Sequence, residues 1–230
     1  MLVARPEQFD DPGKFVLLWL HESERVYGDR LVSNADLKKY NQLALAIGKK
    51  KFGAYAAAIS SYFSDTPDQL IFCHYTKNIQ DKMYDQATDF TKLSGILDAA
   101  LQEYNETNAN MDLVLFTDAI KHITRITRII LNPAGHALLV GVGGSGKQSL
   151  SRLSSFICNY TLFQIVISST YGINDLKEDL QKMYMRAGAK DEGVTFLFTD
   201  SQITKERFLV YVEERRGETR REEGRGNHPV

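Results

Sequence analysis

At 230 residues and 43% hydrophobic content, the chain is long enough for one large domain or two small ones, each with a packed core. With 28 basic residues against 29 acidic ones, no global field draws it toward nucleic acid or an anionic membrane, so any bound anion must be held by a local site. Its two cysteines, Cys73 and Cys158, lie in apolar segments, as buried free thiols of a reducing, intracellular compartment would, and its longest apolar run, Phe15 to Leu20, falls far short of the roughly 20 residues that span a bilayer.

From Phe15 to about Asn110 the apolar residues recur at helical spacings, as at Leu17, Leu18 and Leu20 followed by Val26 and Leu31. Several short packed helices are expected there, with few strands. Ser33 or Asn34 is a candidate N-cap, and the stretch around Pro67 reads as a break. The segment 113–131 puts Phe116, Ala119, Ile120, Ile123, Ile126 and Ile130 on one stripe, with Lys121, Arg125 and Arg128 largely outside it; this predicts one long amphipathic helix closed by Asn132 and Pro133.

After Gly135 the pattern changes to alternating strands and helices. "HALLV" reads as a buried parallel strand, "SLSRLSSFI" as a helix and "LFQIVI" as a second strand. A helix with Leu176, Leu180, Met183, Tyr184 and Ala187 on one face follows, and then a third strand, "VTFLF", ending at Thr199 and Asp200. The order implies a parallel α/β sheet. Beyond Val212, glutamate, arginine and glycine dominate, which reads as a solvated, disordered tail over 213–230.

The first strand runs into "GVGGSGKQSL". In the pattern G-x-x-x-x-G-K-[ST], glycines let backbone N–H groups converge on phosphate oxygens, the next helix adds its positive end, and the lysine neutralises phosphate charge. Gly141, Gly146 and Lys147 fill the defining positions, with Val142, Gly143, Gly144 and Ser145 between them. A plain tight turn at Gly143 and Gly144 is the competing reading. Gln148 stands where a magnesium-binding hydroxyl is usual, and Ser149 comes one residue late.

A phosphate site of this kind needs a second acidic group at the end of a neighbouring strand. The candidates are Thr199 and Asp200. In one register Thr199 takes the usual aspartate position and Asp200 that of the catalytic glutamate; shifted by one, Asp200 becomes the metal partner and Ser201 a poor base. An aspartate in an ordinary turn is the bland alternative. "HESER", His21 to Arg25, departs from the zinc pattern HExxH at Arg25, and His74, His122 and His136 show no ligand spacing. The Asn-Lys-x-Asp guanine signature is also missing.

The run from Tyr104 through "GVGGSGKQSLSRL" to Leu153, with "FTDSQI" further on, closely resembles the fourth AAA+ module of dynein heavy chains of the axonemal type, and "LWLHESERVYGDRL" resembles the lid of the third module. Together these stretches cover roughly Phe15 to Val212. The resemblance implies a P-loop AAA+ three-layer α/β sandwich, its parallel sheet incomplete, preceded by an all-α helical lid subdomain. The corresponding boundaries are 1–110 for the lid part, 111–212 for the nucleotide-binding part and 213–230 for the tail. It also implies ATP or ADP, with or without Mg2+, held by Gly141 through Ser149 with Lys147 as main cation, and Thr199 and Asp200 as a weakened acidic motif.

Through the full-length protein the resemblance further implies a regulatory nucleotide site in a microtubule motor. Neighbouring AAA+ modules, dynein light and intermediate chains and microtubules would be the partners, in the cytoplasm, cytoskeleton and ciliary axoneme. Arg25 falls in a lid motif that can reach a nucleotide. Family sheets run in the order 5-1-4-3-2, so Leu138 and Val140 are expected to lack the strands that normally flank them. The alternative function is a non-catalytic structural or interaction piece, and whether the chain alone is an enzyme is left open.

Overall fold

In the computed structural model, Ala4, residues 9–56, Tyr62, 70–80 and 82–212 are described. The break expected at Pro67 and the tail 213–230 lie outside them. The chain divides into two compact units, 1–132 and 133–230.

The first unit is mainly helical. Helix α1, Pro12–Val26, starts where Asp11 accepts from Gly13 N–H at 2.9 Å, with proline at the first helical position. Helix α2, Asn34–Lys51, is capped by Ser33, one of the two expected residues, which accepts from Ala35 N–H at 3.2 Å. Helices α3, Phe90–Thr107, and α4, Thr117–Leu131, follow among the described residues. At 15 to 18 residues α1, α2 and α3 are longer than the short helices expected, whereas α4 is the long amphipathic helix expected over 113–131, beginning at Thr117. The sequence reading also missed a two-stranded antiparallel sheet, β1 (Phe72–Cys73) with β2 (Asp85–Gln86).

Leu18, Phe72 and Tyr84 form one core cluster, and Val16 and Leu20 another, against Trp19, Phe52 and Tyr55. On α4 the stripe buries Ala119, Ile120, Ile123 and Ile126. Phe116 departs from it: it precedes the helix as its N-cap residue and is exposed.

The second unit carries helix α5, Lys147–Ile157, strand β3, Thr161–Phe163, helix α6, Ile173–Tyr184, and strand β4, Val194–Phe196. β3 and β4 pair in parallel, Thr161 opposite Val194 and Phe163 opposite Phe196. Ile165, Leu176, Leu180 and Phe208 form the core. The expected face of α6 stops short, because the backbone changes to a π-turn over Met185–Ala189 and leaves Tyr184 and Ala187 exposed.

The strand expected at 136–140 does not form. A strand is defined by its neighbour, and among the described residues no strand pairs with this segment; Leu138 and Val140 are 89% and 86% exposed. Both cysteines are buried and outside any disulfide, and burial pushes the Cys73 thiol up to about 12.

Gly193 is fixed by contact. A Cβ there would stand 2.5 Å from Tyr160 Cδ1 and 2.7 Å from its Cε1, while the Gly193 carbonyl accepts Thr161 N–H at 2.7 Å to begin the β3–β4 ladder. Gly193→Ala should therefore destabilise the second unit by about 1 to 3 kcal/mol, and adding Tyr160→Ala should recover part of the loss. Denaturant unfolding of both variants checks this, and an unchanged midpoint for Gly193→Ala would show that the Tyr160 ring swings aside freely.

Candidate functional site

The glycine loop joins the unpaired segment 136–140 to α5. Gly144 and Gly146 hold φ angles of 73° and 76°, the left-handed region that favours glycine, and Gly146 is the residue from which α5 starts. Leu150 N–H reaches Gly146 O at 2.8 Å, so the first helical turn closes directly on the loop. Inside the loop, the Lys147 ammonium donates to Gly141 O at 2.8 Å, Val142 O at 2.7 Å and Ser145 Oγ at 3.2 Å. These bonds match the three donors of a lysine ammonium, which is thus held on the loop's own acceptors.

This donor set fits an anion. A cation sits within the loop, the first-turn N–H groups of the helix behind it have no acceptor inside the helix, and an added Cβ at Gly143 or Gly144 would meet nothing within 4 Å. Val142, Gly143 and Gly144 are exposed, Gln148 points into open surroundings and Ser149 is half-buried. Ser151 and Ser155 turn inward and donate to the carbonyls of Lys147 and Ser151, at 2.8 and 2.9 Å.

Thr199 and Asp200 lie just past β4, where a 3-10 turn, Asp200–Gln202, begins with Thr199 as its cap. Thr199 Oγ1 is engaged within the turn, 3.0 Å from Ser201 Oγ and donating to Gln202 Oε1 at 3.2 Å. Asp200 is exposed. In the described turn, the carboxylate faces solvent while the two hydroxyls are tied to one another.

The "HESER" segment lies in the first unit and has a different role. Glu22 is buried and accepts Arg128 Nε–H at 3.1 Å, a second Arg128 bond from Nη2, and Tyr84 O–H at 2.8 Å. Burial alone would raise the Glu22 carboxyl, but the Arg128 guanidinium, aided by Tyr84, holds it down at about 2. His21 donates through Nδ1 to Leu70 O at 3.1 Å, and burial, with the charge of Arg25, lowers it to about 4, so it is neutral near pH 7. Arg25 pairs with Glu24 at 2.6 Å and with Asp29 at 3.2 Å, and Asp29 also meets Arg125 at 3.1 Å. The Arg25 side chain is thus engaged within its own unit. Sequence reasoning passed over the Glu22 pair, since its partners are 62 and 106 residues away. The only local signal was two arginines beside an otherwise apolar helix face.

Among the described residues, no helix is long and apolar enough to cross a membrane, and no group of three or more His, Cys, Asp or Glu could hold a metal ion.

Residues 111–215 match a family model described as the P-loop containing dynein motor region D4, and residues 1–61 match one for the AAA+ lid domain. The Dynein alpha chain, flagellar outer arm, of Chlamydomonas reinhardtii is 59% identical over 213 residues, covering 92% of this chain and 5% of that protein. The Dynein beta chain, flagellar outer arm, of the same organism is 47% identical over 91% of this chain, and Dynein axonemal heavy chain 17 of Homo sapiens is 45% identical over 92%; in each case 5% of the relative is covered. The mixed α/β fold with a helical lid and small, incomplete sheets is that of AAA+ modules.

Proposed function

The chain belongs to the axonemal dynein heavy chains, as part of their AAA+ region, and from that premise we propose that its loop Gly141 to Ser149 is the phosphate site of a regulatory, fourth-module nucleotide pocket. The chain spans about 5% of the length of the curated relatives it matches. In this reading, 1–110 serves as the lid part of the preceding module, 111–212 as the nucleotide-binding part and 213–230 as a tail. ATP or ADP is the ligand, with or without Mg2+. Lys147 and the loop amides hold its phosphates, and Asp200 is the carboxylate nearest in role to a cation partner, because Thr199 and Ser201 are engaged with each other. Neighbouring AAA+ modules, light and intermediate chains, microtubules and the ciliary axoneme are reached through the heavy chain as a whole.

The observation that carries this reading is the Lys147 ammonium held inside a glycine loop at the start of a helix. Binding requires the lysine to exchange a carbonyl for a phosphate oxygen, a charge-assisted contact worth about 1.5 to 3 kcal/mol. Titration of a fluorescent ATP analogue into the full chain should show affinity falling by about that energy in Lys147→Ala. Equal affinities would remove the phosphate-loop assignment. Holding, rather than turning over, a nucleotide is the reading that Gln148 and Thr199 favour, since each replaces a group that metal handling ordinarily uses.

A further inference from the structure

The β3–β4 ladder ends in an unusual way. Its rungs run from Thr161 N–H to Gly193 O at 2.7 Å and from Leu197 N–H to Phe163 O at 2.9 Å. In a parallel pair the following rung would join Ile165 N–H to Leu197 O, which does not form among the described residues, and the one after it would join Thr199 N–H to Ile165 O. These two groups do not bond to each other. Thr199 N–H donates instead to Gln202 Oε1 at 2.9 Å, and Gln202 Nε2 donates to Ile165 O at 2.6 Å. A carboxamide offers the same donor and acceptor as a peptide group, so it satisfies both partners while setting its own length between the strands. Gln202 is 6% exposed, and its backbone N–H also closes the turn onto Thr199 O at 3.0 Å.

The strand ends are thus already parted where the carboxamide spans them. Ligands of open parallel α/β sheets bind outside the carboxyl ends of the strands, and the residue carried on this turn, between the cap Thr199 and the clamp Gln202, is the exposed Asp200. We propose that Gln202 is a positioning residue: its carboxamide, spliced into the ladder between Thr199 and Ile165, holds Asp200 at the sheet's carboxyl edge for the divalent cation that accompanies the nucleotide. This role rests on the nucleotide reading above. Asp200 supplies the charge; Gln202 never touches the ligand and acts through the turn.

The test uses the full chain and a fluorescent ATP analogue, titrated with Mg2+ and again with EDTA, so that the Mg2+-dependent gain in affinity is read separately from metal-free binding. A carboxylate contact predicts a gain on the order of tenfold, lost in Asp200→Asn. Gln202→Leu, which leaves Thr199 N–H and Ile165 O without their partner, should lose the gain while keeping the metal-free affinity, and hydrogen exchange should show a faster Thr199 amide. Gln202→Glu gives a readout that mere loss of packing does not. Its carboxylate would face the Ile165 carbonyl, acceptor against acceptor, whereas its protonated form restores a donor. The Mg2+ gain should therefore be absent at high pH and return as pH falls through the raised range of that buried carboxyl.

A Mg2+ gain retained in Gln202→Leu, one that survives Asp200→Asn, or a pH-independent response in Gln202→Glu overturns the positioning role and leaves the nucleotide reading standing. No gain in the unsubstituted chain does the same. Absence of nucleotide binding by the unsubstituted chain overturns both. If Gln202→Leu does not fold, the pH response of Gln202→Glu decides.

Discussion

Replacing Glu22 with glutamine is expected to destabilise the first unit by about 3 to 5 kcal/mol, because the substitution leaves the Arg128 guanidinium without its buried counter-ion. The Arg128 side chain is 16% exposed and that of Glu22 9%, so water can take over only part of the lost charge's role. A neutral amide can still accept from Tyr84, which keeps the change to the charge itself. Against a usual net stability of about 5 to 15 kcal/mol the loss is large. The chain's single tryptophan reports it directly: Trp19 lies in α1, 5.4 Å from the Phe52 ring, inside the same unit. Urea unfolding followed by Trp19 fluorescence measures the difference, and a loss under about 1 kcal/mol would put the pair in the class of weak surface bridges. Joint replacement, Glu22→Leu with Arg128→Met, should recover much of the stability, since removing both charges abolishes the penalty for leaving one alone.

The same pair sets a pH dependence whose sign is fixed. Glu22 falls from 4.5 to about 2 on folding, so its contribution is complete above about pH 4.5 and is lost as pH drops toward 2. His21 and His74 fall from 6.5 to about 4, chiefly through burial; in the intervening range the unfolded chain binds the protons and stability again declines with acid. Acid unfolding should therefore have two limbs, and Glu22→Gln should flatten the lower one while steepening the upper, because the Glu22 charge 3.9 Å from His21 Nε2 favours the protonated imidazole.

What could be read from the sequence divides along the range of the interactions. The glycine loop was legible because its chemistry is local: the residues that need positive φ, the lysine and the start of the helix all lie between Gly141 and Leu150. The Ser33 cap and the α4 stripe were legible for the same reason. The strand at 136–140 was read from an apolar run bounded by glycines, but a strand exists only with a partner, and Leu138 and Val140, expected to lack their flanking strands, have none among the described residues. β1 and β2, two residues each, are too short to show a period. The Glu22 pair and the Gln202 clamp were invisible for a further reason: "HESER" and "FTDSQ" look like incomplete catalytic motifs, whereas the partners that define their roles lie 106 and 37 residues away.

Phe208 tests how firmly the far end of the second unit is anchored. The helical segment 207–212 owes its place to packing, as helices in water generally do. Its anchor is Phe208, fully buried among Ile165, Leu176 and Leu180, with the Tyr171 ring edge-on at 6.0 Å. Truncation by Phe208→Ala removes the ring's transfer energy and leaves a cavity, at a cost of about 3 to 5 kcal/mol, whereas Phe208→Leu should lose considerably less. The effect should spread in a definite order, because Ile165 lines this core and its carbonyl also receives the Gln202 carboxamide. Hydrogen exchange should accelerate first at 207–212, where the anchor is gone, and then at 199–203, where the clamp loses its backing. Faster exchange confined to 207–212, with the turn still protected, would show that Gln202 holds the strand ends without support from the core beneath it, and a loss of stability under about 1 kcal/mol would show that the segment is held by other side chains, such as Tyr211 beneath the Lys177 ammonium.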